Sequence, residues 1–154
     1  MKKWIIGADH AAFKLKSQII EALKAQGDMV EDLGCYDESA VDYPDISSSL
    51  ARRFKEVQAD SPSSEVFGLL CCGSGIGVCI AANRFPWVRA VEAHDHHTAV
   101  MSRRHNDSNV LCLGARVLAP ELALNLIAAW SDTLFEGQRH QHRIDKMTAL
   151  GASF

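Results

Sequence analysis

Residues 69–77, LLCCGSGIG, join an apolar run to a loop that holds three glycines spaced two apart. The run 66–71 is continuously hydrophobic, which predicts a strand covered on both faces, and the residues after the loop predict a helix through about Asn83. Such a loop is either a tight strand-to-helix turn or an anion-binding loop. In an anion-binding loop, N–H groups at the start of the helix face an anionic group or a developing oxyanion.

The rest of the chain repeats this strand-and-helix alternation. Strands are predicted at 4–8, 29–33, 66–71, 88–93 and 110–113. Helices are predicted at 13–27, from about 45 to a serine-rich turn at 61–64, at 76–83, 98–104 and 120–135, and in a tail helix at 144–150. Tyr43-Pro44 is expected to break the backbone before its helix. The pattern predicts a three-layer, Rossmann-like α/β/α sandwich around a five-stranded parallel sheet, with a C-terminal tail helix.

Length and charge limit the possible classes of protein. A chain of 154 residues that is 47% hydrophobic suits one domain, 1–154, whose arm 137–154 could reach a neighbouring subunit. A net charge of -3 provides no basic field for nucleic acid, and no apolar stretch of about 18 residues could span a membrane. We therefore expect a cytoplasmic protein with neither nucleic acid nor membrane as a partner.

The five cysteines form an odd set without a CxxC pair, which argues against a disulfide scaffold and a structural zinc site. We expect Cys35, Cys79 and Cys112 to be buried apolar side chains and Cys71 to face the interior of the sheet. Cys72 differs because the glycine loop and the following helix start would favour its thiolate. It is the candidate catalytic thiol.

Three other segments of the chain are candidate ligand sites. The spacing 73-GSGIG-77 departs from GxGxxG, so a dinucleotide is not expected. The histidines at 94, 96 and 97 lack further metal-ligand spacing and are interpreted as a solvated helix start. Arg139 and Arg143 would share a helix face, either as a phosphate anchor or as an exposed basic patch.

Polar side chains follow or precede several predicted strands. Asp9 and His10 end the first strand, and Cys72 ends the third. Residues 103–107 precede the fifth strand, and Arg116 follows it. Ligands of doubly wound sheets bind outside the carboxyl ends of the strands. We expect all these side chains to converge on that one edge.

Motifs along nearly the whole chain resemble those of the type B ribose-5-phosphate isomerases, a group related to galactose-6-phosphate and allose-6-phosphate isomerases. The motifs are 7-GADH-10, 42-DYP-44, 72-CGSGIG-77, 80-IAAN-83, 89-RA-90, 102-SRRHND-107, 114-GAR-116 and 136-EGQRH-140. The resemblance implies an aldose–ketose isomerase that works through a cis-enediolate without a metal or an organic cofactor. It implies that Cys72 moves a proton between C1 and C2 and that His105 opens the sugar ring.

The resemblance also implies the remaining site residues. The Ser74 hydroxyl and the amides of the glycine loop would hold the enediolate oxygen, Asp9 and Asn106 would bind sugar hydroxyls, and Tyr43 would contact the substrate. The loop residues that this implies are Gly73, Gly75, Ile76 and Gly77. The residues implied around the phosphate are His10, Arg116, Arg139 and Arg143.

In the resembled family the site lies between subunits, which implies a homodimer or a dimer of dimers with a phosphorylated sugar as substrate. Some relatives use a glutamate base on the helix after the loop, but residues 76–79 hold no carboxylate. Two further readings of the chain stay open: an isomerase of another phosphorylated sugar, such as allose 6-phosphate, and a non-catalytic sugar-phosphate-binding module. The histidine-rich segment 92–97 is a candidate lining for the far end of the sugar pocket.

Overall fold

The computed structural model describes residues 1–60 and 65–151, so the predicted turn at 61–64 lies outside the described residues. Within them, five parallel strands form one sheet in the order β2-β1-β3-β5-β4. The strands are β1 (Lys3–Ala8), β2 (Met29–Asp32), β3 (Val66–Cys72), β4 (Ala90–Glu92) and β5 (Val110–Gly114). The predicted parallel sandwich is confirmed.

Six α-helices accompany this sheet in the described ranges. They are α1 (Phe13–Ala25), α2 (Tyr43–Asp60), α3 (Ile76–Ala82), α4 (His96–Asn106), α5 (Pro120–Ser131) and α6 (Arg139–Gly151). One apolar cluster joins the sheet to α1, α4 and α5, and a second joins it to α2 and α3. The central strand β3 is buried at every position because both of its faces are covered. None of these helices is long and apolar enough to cross a membrane.

Several element boundaries differ from the sequence predictions. The second helix begins at Tyr43, so Tyr43-Pro44 forms its first turn instead of breaking the chain, because proline fits the first turn of a helix. Strand β4 has only three residues, which match the three residues it pairs with on β5. Helix α4 is longer than predicted, since Asp95 caps it by accepting the Thr98 N–H at 2.8 Å.

The C-terminal part also departs from the prediction. Helix α5 ends at Ser131 instead of near 135, and the chain then turns so that the Glu136 N–H donates to the Arg104 carbonyl at 3.0 Å. Positive φ values at Gly137 and Gln138 complete this turn. As a result, the tail helix begins at 139 instead of 144 and runs to 151.

A buried ion pair connects α1 to the end of β2. Lys16 is 1% exposed, and its Nζ lies 2.6 Å from both carboxylate oxygens of Asp32. Asp32 also accepts the Gly34 N–H at 2.9 Å, which holds the turn after β2 beside the end of β1. A buried cation of this kind depends on its one close counter-charge.

We predict that Asp32→Asn lowers the free energy of unfolding by about 3–5 kcal/mol, because it leaves the Lys16 ammonium buried without an anion. Urea denaturation measures this change. The control is Glu38→Gln, which breaks the exposed Lys14–Glu38 pair and should cost less than about 1 kcal/mol. Equal stabilities of the two variants would contradict the prediction.

Candidate active site

The Cys72 thiol lies at the junction of β3 and the glycine loop. Its side chain is 5% exposed, and the Gly75 N–H donates to Sγ at 3.1 Å. Helix α3 begins at the next residue, Ile76. The sulfur of Cys72 thus accepts a backbone N–H from the residue directly before α3.

The other thiols differ from Cys72 in their surroundings. Cys71 faces the opposite layer of the core, and burial raises the pKa of Cys71, Cys112 and Cys35. The expectation that these three are buried is confirmed. It is wrong for Cys79, which is only half-buried because it lies at the margin of the apolar cluster that joins α2, α3 and the sheet. A hydrogen bond with Cys112 lowers the pKa of Cys79.

Close packing explains why the loop and its neighbouring strand need glycine. Gly75 has a φ of 84°, the left-handed region that glycine adopts without strain. A Cβ on Gly114, at the end of β5, would lie 2.6 Å from the Ser74 carbonyl oxygen. A Cβ on Gly77 would lie 3.0 Å from the Tyr43 ring. The loop is thus enclosed by β5 and by the first turn of α2.

Ser74 caps the start of α3 from inside the loop. Its Oγ accepts the Ile76 N–H at 3.3 Å, so this amide is already satisfied. Arg116 reaches the same loop from the residues after β5: its N–H donates to the Gly73 carbonyl at 2.9 Å, and its guanidinium lies against Gly73. Of the predicted site residues, Ser74 therefore bonds within the glycine loop, and Arg116 contacts the loop from the end of β5.

The end of β1 brings Asp9 and His10 to the same edge. The Asp9 N–H donates to the Cys71 carbonyl at 3.1 Å, and its buried carboxylate accepts the Ala11 N–H at 3.0 Å. The exposed His10 accepts the Val41 N–H at 3.3 Å through Nδ1, which ties the loop before α2 to this edge. We call the following set the carboxyl-edge group: Asp9, His10, Tyr43, Cys72, Gly73, Ser74, Gly75, Ile76, Gly77 and Arg116.

His105 and Asn106 lie at the opposite edge of the sheet. They end α4, and three residues later the Asn109 carbonyl accepts the Gly68 N–H near the start of β3. Gly68 and Cys72 are four residues apart on β3, and a strand rises about 3.3 Å per residue. The two edges of the sheet are therefore about 13 Å apart. The expectation that His105 and Asn106 join Cys72 at one edge is wrong within a single chain, because α4 runs antiparallel to the strands.

The tail helix carries Arg139 and Arg143 and brings His140 against His105. Helix α6 packs against α4, and the rings of His105 and His140 stack at 4.2 Å between centroids with an interplanar angle of 8°. Arg139 and Arg143 are exposed one turn apart on α6. Burial, then the charges of His105 and these arginines, lower the pKa of His140. We call His105, Asn106, Arg139 and Arg143 the amino-edge group.

Glu136 and His140 were not among the predicted site residues, although both belong to the motif 136-EGQRH-140. Their spacing of four residues was the available signal. One ring nitrogen each of His105 and His140 and a Glu136 carboxylate oxygen lie within 4.8 Å of one another, a possible metal-ligand set. However, the imidazole rings are nearly parallel and stacked, so one ion cannot lie in both ring planes. This geometry does not suit a shared metal.

The histidine-rich segment follows β4 at the carboxyl edge. His96 and His97 begin α4, which confirms the interpretation of a helix start. Glu92 pairs with His94 at 3.2 Å and raises its pKa. A Cβ on Gly75 would lie 3.0 Å from Glu92 Cγ, so this carboxylate flanks the glycine loop from β4. Sequence spacing on α3 alone could not reveal it.

The sequence profile of the Ribose/Galactose Isomerase family matches residues 4–147. This chain belongs to that family. Among characterised members, it is 40% identical over 150 residues to ribose-5-phosphate isomerase B of Escherichia coli (strain K12), which covers 97% of each chain. It is also 40% identical over 144 residues to the D-erythrulose-4-phosphate isomerase of Pectobacterium atrosepticum, covering 92% of this chain and 90% of the relative.

Solved structures of the family show the same fold. The ribose-5-phosphate isomerase B of Clostridium thermocellum has a TM-score of 0.91 at 38% identity, covering 97% of both chains. The enzyme of Mycoplasma genitalium, solved with bound ribulose-5-phosphate, has a TM-score of 0.89 at 35% identity and covers 99% of this chain and 97% of that one.

We predict that Gly114→Ala lowers the free energy of unfolding by about 1–3 kcal/mol, because its methyl group would overlap the Ser74 backbone. Gly73→Ala is the matched control, since its methyl group would meet the flexible Arg116 side chain at an ordinary 3.4 Å. Thermal and urea unfolding of both variants measure the difference. A Gly114→Ala protein as stable as Gly73→Ala would refute this explanation of the glycine.

Proposed function

We propose that this protein is an aldose–ketose isomerase that interconverts ribose 5-phosphate and ribulose 5-phosphate through a cis-enediolate. The observation that carries the proposal is the Gly75 N–H bonded to Cys72 Sγ at 3.1 Å, at the strand edge where the fold binds ligands. Family membership and the characterised relatives support the same reaction. A thiolate held beside backbone donors suits the removal of a weakly acidic proton next to a carbonyl.

In this proposal Cys72 is the base. Its thiolate takes the proton from C2 of the open-chain aldose and returns it to C1, while the hydroxyl proton moves from O2 to O1. Amides of the glycine loop other than those of Gly75 and Ile76, which already bond Cys72 and Ser74, stabilise the enediolate oxygen, and the Ser74 hydroxyl lies beside them. His105 protonates the ring oxygen so that the furanose opens. No cofactor takes part in these steps.

The substrate is held through its hydroxyls and its phosphate. Asp9 and Asn106 bind sugar hydroxyls, and Tyr43 covers the loop at Gly77. The phosphate is bound by His10 and Arg116 from the carboxyl edge and by Arg139 and Arg143 from the amino edge. Guanidinium pairs suit phosphate because their planar donors match its oxygens.

Because these groups lie on opposite edges of one sheet, we propose a homodimer with two shared sites. A two-fold axis that brings the carboxyl-edge group of one subunit to the amino-edge group of its partner completes both sites at once. Helix α6, within the arm 137–154, packs on α4 of its own chain with Ile144 buried, and in this dimer Arg139 and Arg143 face the neighbour. A dimer of dimers would preserve these shared sites. The proposal treats residues 1–154 as one domain of a cytoplasmic enzyme.

Exposed apolar surface supports this dimer. Ile76 and Ile80 on α3, beside the glycine loop, are 56% and 64% exposed. A cavity of about 450 Å³ adjoins the amino-edge group, with Phe85, Asn106 and Met147 in its lining. Apolar patches of this kind are typical of subunit interfaces. In the proposed dimer, α3 of one subunit covers the cavity of the other.

A second substrate class is a tetrose phosphate, because a relative with the same 40% identity is named a D-erythrulose-4-phosphate isomerase. Two further candidate functions are an allose 6-phosphate isomerase and a non-catalytic sugar-phosphate-binding module. An activity panel of aldose and ketose phosphates with four to six carbons separates the substrates. Incorporation of solvent deuterium at C2 separates an enzyme from a module that only binds.

We predict that Cys72→Ala lowers kcat for ribose 5-phosphate by at least about a thousandfold, since the variant lacks the base that moves the carbon-bound proton. Calorimetric binding of ribulose 5-phosphate should persist, because the phosphate ligands are unchanged. Cys79→Ala, which removes a more exposed thiol from α3, is the control and should retain kcat. An undiminished kcat in Cys72→Ala would rule out the assignment of the base.

We predict that Ile80→Arg converts the dimer into monomers and abolishes isomerisation, because a charge replaces the apolar contact at α3. Light scattering coupled to size-exclusion chromatography measures the mass, and a coupled assay measures the activity. Leu122→Arg changes an exposed leucine on α5 and should leave both unchanged. Fully active Ile80→Arg monomers would show that one chain suffices.

A further inference from the structure

Two side chains that take no part in the proposed chemical steps surround His105. One Glu136 carboxylate oxygen, Oε2, lies 3.9 Å from His105 Nε2 and 3.7 Å from His140 Nε2. His140 is 4% exposed, and its Nε2 has no hydrogen-bond partner among the described residues. Its ring lies flat against that of His105. A buried polar atom without a partner costs free energy, so this position calls for an explanation.

The backbone holds the three residues in register. The Glu136 N–H donates to the Arg104 carbonyl, next to His105, and the His140 N–H donates to the Gly137 carbonyl, both at 3.0 Å. The turn between them contains the two residues with positive φ, Gly137 and Gln138. Helix α6 therefore begins with His140 directly against the last turn of α4, and Glu136 stands beside the edges of both rings.

Charged groups surround the two stacked rings. Arg104 on α4 lies 3.9 Å from a Glu136 carboxylate oxygen. Burial, then the charges of His105, Arg139 and Arg143, lower the pKa of His140. Glu136 is the opposing charge, and it stands within 4 Å of both rings.

We propose that Glu136 and His140 are positioning residues for His105: the carboxylate, 3.9 Å from Nε2, attracts that edge of the ring, and the stacked ring fixes its plane. This inference rests on the proposed role of His105 in ring opening. In that step the ring oxygen takes a proton from His105 as its bond to C1 breaks. The C1 hydroxyl releases a proton to water, from which His105 is protonated again, so no proton is consumed.

The test compares ribose 5-phosphate carrying hydrogen or deuterium at C2 in wild-type protein and variants. Glu136→Gln should lower kcat/KM at least about tenfold, a part of what general-acid catalysis supplies. Ring opening breaks no C–H bond, so the deuterium isotope effect on kcat/KM should fall to unity or stay there. Glu121→Gln neutralises an exposed carboxylate at the start of α5 and is the control.

The stacking role has its own pair of variants. His140→Phe retains an aromatic ring and should keep most of the kcat/KM, whereas His140→Leu should lose about as much as Glu136→Gln, also without an isotope effect. Circular dichroism melts verify that all variants are folded. Equal losses in His140→Phe and His140→Leu would overturn the stacking role.

The outcomes separate this inference from the function on which it rests. Wild-type protein without ribose 5-phosphate turnover would overturn both. Wild-type turnover with Glu136→Gln equal to Glu121→Gln would overturn the positioning role alone. A loss of kcat/KM accompanied by a larger isotope effect would also overturn it, since the slowed step would then be the proton transfer at Cys72.

Discussion

The common direction of the strands is the constraint on which the site depends. In a parallel sheet every strand ends at one edge and every returning helix ends at the other. Cys72 ends β3, whereas His105 precedes β5 at the end of α4, so they lie at opposite edges. The distance between them is set by the length of the strands in the core. A loop movement in the described part of the chain cannot remove it, whereas a second copy related by a two-fold axis can.

Packing around the glycine loop gives Cys72 its environment. The sulfur accepts one N–H from the loop, and the loop in turn is enclosed by Gly114 of β5, Tyr43 of α2 and Glu92 of β4. A Cβ on Gly114 would overlap the Ser74 backbone, and a Cβ on Gly77 or Gly75 would crowd Tyr43 or Glu92 at 3.0 Å. The thiol is consequently held by three elements of the core, and its donor is oriented before a substrate arrives. Such preorganisation is what a proton transfer from carbon requires.

Much of this fold could be predicted from local sequence patterns. The apolar runs of β1, β3 and β5 and the helical spacing of α1 indicate their elements because both faces of the sheet are buried. The boundaries that failed depend on tertiary contacts. Helix α6 begins early because the turn at 137–138 is held by the last turn of α4. Cys79 is half-buried because it lies at the margin of the apolar cluster of α2, α3 and the sheet.

The candidate site was predictable as a set of residues but not as an arrangement. The order of the motifs does not show whether a residue ends a strand or ends the helix that leads back to the next strand. His105 and Asn106 end a helix and Cys72 ends a strand, so they lie at opposite edges of the sheet. Glu136 and His140 could not be predicted as neighbours of His105, because they approach it only when α6 packs on α4. These are contacts between elements distant in sequence, which no local pattern encodes.

The most direct test of the shared site mixes two inactive proteins, Cys72→Ala and His105→Ala, under conditions that let subunits exchange. If Cys72 and His105 of one site come from different subunits, half of the dimers are hybrids with one intact site, and the activity recovers to about one quarter of wild type. If both residues of a site come from the same chain, every site in the mixture lacks one of them. The account predicts recovery, and a mixture that stays inactive after confirmed exchange would contradict it.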